Sequence, residues 1–511
     1  MRGEIAKSLK LNRDLEKYVE RGISKGLPVK IGWGQAGDER PKNGEIGVIT
    51  HLPEKSKVIC LGDLGECSGS MNKGGTFTLK GSAASMFGAF HVDGKTTVEK
   101  DCDERVGYRM RGGEITVHGS VGDEAGSGMS GGTIVVRGQA GSRIGMGMSG
   151  GTILVVGSVG SEPCAGMTGG KVIVCGSCPP PGDEVEIRSI EAEEIVELLQ
   201  FVEPLGISIN EDALVIETSS RVSIPSESPP KSISTYFENV ALYPSGKCIP
   251  EHRPLSYQTV LEHGNEERLV LPIPWLVKTD EPKKWKGDLS NNQPALVKTK
   301  PRGNDFLLIG IENIAECVDF LGSCGGIVLD MMEFKGLNDA EIEGLLVSLT
   351  SRMVDSAIVF IRGGFEGVDD LFRIVMDLDI DGAIIDGSSP NGSKLVSILP
   401  TVGIASKSMG LRDAGKYMMI EFDSQPRAKD LLIVLASGSN SVVAPFNGDN
   451  VEEPLKEISA ELSGWMREIG IENIERIGRR NLRAMDYETA AISGLRLVGY
   501  GRPLPIWLDS R

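Results

Sequence analysis

Three loop segments in the second half of this 511-residue chain carry residue types that could do chemistry. Asp386 closes the apolar run GAII and is followed by Gly387, Ser388 and Ser389. A carboxylate there could orient a substrate or a cofactor; the same residues could form an Asx turn that starts the next helix. Arg362 precedes Gly363 and Gly364 after the run SAIVFI. Paired glycines let the backbone approach a bound molecule, and they equally make a simple turn. Lys407, Ser408, Gly410 and Arg412 follow the run VGIA, which the sequence predicts as a strand. Backbone N–H groups, a helix N-terminus and a cation in one loop would anchor a phosphate, and an ordinary strand-to-helix loop has the same composition. Cys175 and Cys178 form a lone CxxC. A structural metal needs four ligands and Cys175 falls in a β-like run, so packing is the simpler reading. The five histidines show no metal-ligand spacing.

The elements that must position these loops alternate. From residue 305, the apolar runs FLLIGI, GGIVLDMM, SAIVFIRGG and DGAIIDGSS are interleaved with the helical patterns IENIAECVDFLG, DAEIEGLLVSLTSRMVD and VDDLFRIVMDLD. Continuous apolar strands separated by helices argue for a parallel sheet covered by helices. Strands that end in Gly, Asp or Ser suit a TIM-barrel-like α/β domain whose functional loops follow the strands. About six such strands fall between 305 and 446, short of the eight a barrel needs. The barrel either draws strands from 233–300, where His252, His263, Trp275 and Trp285 sit in an irregular-looking stretch, or is incomplete.

The first third is built differently. Between Gly107 and Gly176 lie 21 of the 66 glycines. The units MRGGEITVHG, MSGGTIVVRG, MSGGTILVVG and MTGGKVIVCG begin at Met110, Met129, Met148 and Met167, a period of 19 residues. Each is a short β-branched strand between Gly-Gly and a single Gly. One such strand cannot bury its apolar face, so successive turns must stack into a parallel solenoid, with Met as an internal ladder. Gly81 and Gly62 extend the register backwards; the rung ending near Lys100 reads as degenerate, with a bulkier insertion around Met86 to Val92. A phosphate-cradling loop would open a helix, whereas this pattern recurs and leads each time into another strand.

The formal charge of −17 and 5% aromatic content argue against nucleic acid as a partner. No apolar run reaches the ~18 residues a membrane helix needs, and the charged N-terminus lacks a signal-peptide core, so a cytoplasmic protein with reduced thiols is expected. The divisions expected are a helical segment (1–40), the solenoid (41–185), an acidic helix and Ser/Pro linker (186–232), the α/β domain (233–490) and a tail (491–511).

The repeated Gly-x-x-x-Gly-x-Gly-Met-x-Gly-Gly-x-Ile-x-Val-x-Gly unit resembles the GXGXG domain. That domain closes the large chain of glutamate synthase and occurs in one of the subunits of formylmethanofuran dehydrogenase. The resemblance implies a right-handed parallel β-helix with a packing and scaffolding role. The segment ELSGWMREIGIENIERIGRRNLRAMD, with DGAIIDGSSPNGS, SKSMGLRDAGKY and LASGSNSVVAPF before it, is similar to the glutamate synthase FMN-binding barrel over 305–490. It implies an FMN-dependent oxidoreductase of amino-acid and nitrogen metabolism. Ser408, Gly410 and Arg412, with Lys407, Gly363 and Gly364, would then hold the flavin, and Asp386 would lie by the substrate. The departures make this a degenerate version: PFNGDNVEEPLKEI lacks the three cysteines of the iron–sulfur loop, which argues against a cluster, and Ser388–Ser393 replaces the Gly-Gly-Thr-Gly stretch. Ammonia and electrons would come from glutaminase-like and ferredoxin-like partner subunits, or the chain would assemble with itself. The alternative is a non-catalytic scaffold whose β-helix organises partner enzymes.

Overall fold

The computed structural model describes residues 3–34, 38–181, 185–209, 212–218, 237–263, 267–354, 357–387 and 395–500. The Ser/Pro linker, the Ser388–Ser393 stretch and the end of the tail lie outside the described residues. The chain divides into two compact units, 1–226 with 336–352, and 227–335 with 353–511. No helix among the described residues is long and apolar enough to cross a membrane.

The first unit opens with helix α1 (Gly3–Lys25) and carries strands β1 (Val29–Ile31), β2 (Lys57–Leu61), β3 (Lys73–Lys80), β4 (Asp93–Val98), β5 (Glu114–Val117), β6 (Thr133–Val136), β7 (Ser149–Val155) and β8 (Gly169–Val174). They pair in parallel in chain order. β9 (Val185–Ser189), helix α2 (Ala192–Val202) and β10 (Leu214–Thr218) follow, and β10 pairs antiparallel with both β8 and β9.

Apart from the first pairs of β3–β4 and β7–β8, where the register shifts by one, partners along the parallel ladder are 19 residues apart from β2 through β8: Ile115 faces Ile134, which faces Ile153, which faces Val172. A second column of single bridges keeps the same interval, Leu64 to Ala83, Cys102, Val121, Ala140 and Val159. The unbroken interval across Ala83 and Cys102 corrects the reading of 86–92 as an insertion. That rung is regular, and its bulk is core, since Met86, Phe87, Phe90 and His91 are buried.

The apolar residues of every turn face one another in a single column. Met110, Met129, Met148 and Met167 are fully buried there. They explain the glycine pairs. Gly132, Gly151 and Gly170 adopt φ of +88° to +89°, and a Cβ on each would come within 2.6 Å of the methyl of Met110, Met129 and Met148 respectively. Glycine is needed there both for the left-handed backbone and for room beside the Met ladder.

The helix Asp339–Thr350 groups with this unit, although the strands flanking it in sequence lie in the other. Its Glu341, wholly buried, accepts from Arg105 Nη1 at 2.5 Å, and the Ser348 carbonyl lies 3.1 Å from His51 Nε2. Arg105 also donates to Glu124, which Arg143 grips from the next turn, so charges of alternating sign stack at the 19-residue interval.

The second unit contains β11 (Val240–Leu242), the hairpin β12 (Thr259–His263) and β13 (Glu267–Leu271), then β14 (Trp275–Lys278), α3 (Asp288–Asn292), β15 (Ala295–Val297), β16 (Phe306–Ile309), α4 (Ile314–Cys317) and β17 (Gly326–Asp330). The helix Asp339–Thr350, α5, comes next in the chain. After it come β18 (Ile358–Gly364), α6 (Val368–Asp377), β19 (Gly382–Asp386), α7 (Ile398–Ser408), β20 (Tyr417–Glu421), α8 (Ala428–Ala436), β21 (Ser441–Pro445), α9 (Glu452–Ile469), β22 (Leu482–Ala484) and α10 (Tyr487–Ser493).

Strands β14 to β21 form a closed parallel barrel, sealed where Trp275 to Lys278 pair with Val442 to Pro445. Six of its strands lie in 306–445, the number read from the apolar runs, although VGIA is not one of them. The other two, β14 and β15, come from 275–297, so the barrel is complete and the irregular reading of that stretch is corrected. Both are short, three or four residues, too short to show a period.

Candidate functional site

Side chains alternate along a strand, and the barrel interior is filled by Leu276, Leu296, Phe306, Leu308, Val328, Phe360, Ile384, Met419 and Val443. Phe306 and Phe360 stack with centroids 5.5 Å apart. Leu261 and Leu271 of the β12–β13 hairpin belong to the same cluster. Two residues beyond each interior position, toward the C-terminal ends, stand Lys278, Lys298, Gly310, Asp330, Arg362, Asp386, Glu421 and Pro445. The last interior layer is therefore ionic, at the end of the barrel where this architecture carries its chemistry.

Arg362 is its centre. Its Nη1 donates to Asp330 at 2.9 Å, its Nη2 to Asp386 at 2.7 Å, and its Nε to Glu421 at 2.6 Å, with a further Nη2 contact to Glu421 at 3.2 Å. Lys278 Nζ donates to Glu421 Oε1 at 2.7 Å. Arg362 is only 11% exposed, and its three carboxylate partners are comparably shielded. Lys298 is exposed at the end of β15. Three cations (Lys278, Lys298, Arg362) against three carboxylates (Asp330, Asp386, Glu421) give a formal sum of zero.

Burial would push the Glu421 carboxyl up, but the hydrogen bonds and charges of Arg362 and Lys278 outweigh it and hold the group below the ordinary Glu range. Asp330 goes the other way: burial raises it, and Arg362 only partly opposes. Burial disfavours the Arg362 cation, and the surrounding carboxylates more than restore it.

Of the residues singled out in the sequence, Asp386 belongs to this layer. Gly364 lies just above it, with room for a side chain up to the Met332 methyl at 4.0 Å. Gly363 faces outward: a Cβ there would come within 2.9 Å of Leu371 on α6, so its glycine serves strand-on-helix packing. Lys407, Ser408, Gly410 and Arg412 are elsewhere. VGIASKS is not a strand but the second half of α7, and Gly410 and Arg412 lie in the connection that enters β20. In a parallel barrel that connection is at the N-terminal rim, opposite to Asp386. Lys416 and Asp379 meet at this same rim, 2.5 Å apart. Gly410, at φ +69°, follows the helix end as its left-handed terminator, and Ser408 Oγ donates to the Ala405 carbonyl at 2.9 Å. A helix C-terminus presents carbonyls and partial negative charge, which repel a phosphate. The four residues therefore do not form a phosphate cradle, and the buried guanidinium at the mouth already has its donors engaged. This chain's residues do not fit the FMN phosphate site expected of them.

Asp330, Glu421 and Lys278 do not stand out in the sequence. Their signal is the ending of each apolar run, WLVK, GIVLD, VFIR, GAIID and MMIE, in a charged residue of interior parity. Cys175 and Cys178 pack in different clusters: Cys175 with Val135, Leu154 and Ile173 beneath α2, and Cys178 against the apolar column that holds the Met ladder. Among the described residues no group of three or more His, Cys, Asp or Glu could hold a metal ion.

Residues 66–187 match the family described as GXGXG motif. No curated protein is significantly similar in sequence. Among solved structures, an IMP dehydrogenase/GMP reductase-like protein from Corynebacterium glutamicum ATCC 13032 Kitasato is similar at 10% identity and a TM-score of 0.26, covering 49% of this chain and 94% of that one. At that score the likeness carries no argument about fold or chemistry.

Proposed function

We propose that this chain is a glutamate synthase-related subunit of amino-acid and nitrogen metabolism whose task is to organise partner enzyme subunits in the cytoplasm. In this reading the 41–185 segment winds as a right-handed β-helix and supplies the scaffold, as in the GXGXG families it resembles. The barrel retains the α/β frame of a flavin enzyme and has exchanged its cofactor site for an ionic plug. Glutaminase-like and ferredoxin-like subunits are the partners it would serve. The observation that carries this reading is Arg362: a guanidinium at the barrel mouth engaged by Glu421, Asp330 and Asp386 has no donor pair left for a bidentate grip on a phosphate.

A second reading, an FMN-dependent oxidoreductase, is favoured by one observation: charged side chains converge at the C-terminal end of the barrel, with Lys298 exposed beside them. Purified full-length chain incubated with FMN and desalted separates the two. The scaffold reading expects no flavin absorbance to remain with the protein. Retention of stoichiometric FMN sinks it and supports the oxidoreductase.

A further inference from the structure

Helix α5 sits tightly on the first unit. A Cβ on Gly47 would come within 2.2 Å of the Gly344 carbonyl oxygen, and one on Gly344 within 3.1 Å of the Glu66 carbonyl oxygen, so backbone meets backbone. Near the N-terminal end of the helix, the fully buried Cys67 thiol donates to the Glu341 carbonyl at 3.3 Å. Near the C-terminal end, His51 Nε2 meets the Ser348 carbonyl at 3.1 Å. A carbonyl only accepts, so Nε2 carries the proton and donates, and His51 is the neutral Nε2–H tautomer.

The other ring nitrogen stands alone. His51 is 3% exposed, and among the described residues its Nδ1 has no hydrogen-bond partner. A second proton on the ring would therefore bury an imidazolium N–H with no acceptor. The charged groups that act on the ring are Arg352, just past the end of α5, and Lys73 of β3, both cations. Glu16 of α1 is turned to the Arg352 guanidinium, at 3.3 Å. The remaining polar neighbours are neutral: Asn12 of α1 bonds the backbone of Gly47 and Ile49, and the His51 N–H donates to the Ser70 carbonyl. Burial, and then Arg352, hold the ring well below the ordinary His range, against the opposing bond to Ser348. Glu341 responds in the other sense: burial raises its carboxyl, so acid does not penalise it in place.

We propose that His51 is a proton-operated latch on α5: a proton on Nδ1 frees the helix from the first unit, and the opening bares the Cys67 thiol. The inference does not depend on whether the barrel binds flavin. The contribution of the neutral ring is whole above the unfolded value of 6.5 and is lost as pH falls toward the folded value. One proton taken up per opening makes the open fraction rise by up to about tenfold per pH unit in that window. Two readouts on the full-length chain test this, each corrected for its intrinsic pH dependence. Native-state hydrogen exchange follows the amides of 342–350, and labelling by 4,4′-dithiodipyridine, located by peptide mass, follows Cys67. Both should quicken together by up to about tenfold per pH unit below pH ~6.5, while the amides of β5 to β7 keep their protection. His51→Gln keeps an amide donor for the Ser348 carbonyl and cannot be protonated, so it should remove the slope from both. The wild-type slopes decide the matter even if that variant does not fold. Exchange of 342–350 that is flat in pH, opening of α5 only in step with β5 to β7, or a slope that survives in His51→Gln would overturn the latch.

Discussion

Arg362→Met removes the centre of the ionic layer while keeping most of its volume. Three buried carboxylates, Asp330, Asp386 and Glu421, then lose their common cation, and only Lys278 remains beside Glu421. Breaking a buried charge pair from one side costs about 3–5 kcal/mol. With a urea slope of about 3 kcal/mol/M, that lowers the midpoint of barrel unfolding by about 1–2 M. Tryptophan fluorescence is a suitable probe because, among the described residues, Trp275, Trp285 and Trp465 lie in the barrel unit, against Trp33 in the other. The loss must also depend on pH. In the wild type Glu421 is held below its ordinary range, so its contribution is present above the unfolded value of 4.5 and lost as pH falls through the folded value. Without Arg362, burial dominates and the carboxyls move up. The gap between variant and wild type should therefore be widest above pH ~7 and narrow by up to about 1.4 kcal/mol per pH unit for each proton taken up on acidification. A variant within about 1 kcal/mol of wild type at neutral pH, or a gap that is flat in pH, would show that the layer is not a coupled buried network.

Three shorter predictions concern the first unit and the rim. Gly151→Ala puts a Cβ 2.6 Å from the Met129 methyl and 2.9 Å from the Gly132 carbonyl oxygen at φ +89° and should cost well over 2 kcal/mol, whereas Gly166→Ala, at φ +67° with open space, should cost about 1 kcal/mol; thermal melts of the two should separate clearly. Burial lowers His91 to about 4, with its nitrogens on Gly112 O and Thr96 Oγ1, so its contribution is present above the unfolded 6.5 and lost as pH falls from there to about 4. That is worth about 3 kcal/mol, and His91→Gln should flatten the stability profile in that window. Lys407→Ala with Arg412→Ala, at the N-terminal rim, should leave ligand behaviour and barrel midpoint within about 0.5 kcal/mol of wild type; a larger shift in either would revive a binding role for that loop.

The parallel sheet of the first unit is legible in the sequence because its signal is written several times over: each repeat carries the same glycines, β-branched residues and methionine at one interval, and the repeat near Lys100, which lacks the glycines, keeps the register. The barrel is legible only in its long strands. β14 and β15 escape because three or four residues carry no periodicity, and α7 reads as a strand because Pro400, Gly403 and the β-branched Thr401, Val402 and Ile404 mimic one. That resemblance moves four site residues to the wrong end of the barrel. Asp386 can be found because Asp-Gly stands out locally. Its partners cannot, since Asp330, Arg362 and Glu421 are brought together by barrel closure across strands far apart in sequence. α5 likewise groups with the first unit, where its Glu341 meets Arg105, 236 residues away, which no local pattern could reveal.

The most direct test is a titration of purified full-length chain with FMN, followed by flavin fluorescence, for wild type and for Arg362→Met in parallel. The expected result is no saturable quenching with the wild type, because the mouth is closed by its own ion pairs. Saturable, stoichiometric binding of FMN to the wild type, abolished in the Arg362 variant, would contradict the ionic plug and place the flavin at that guanidinium.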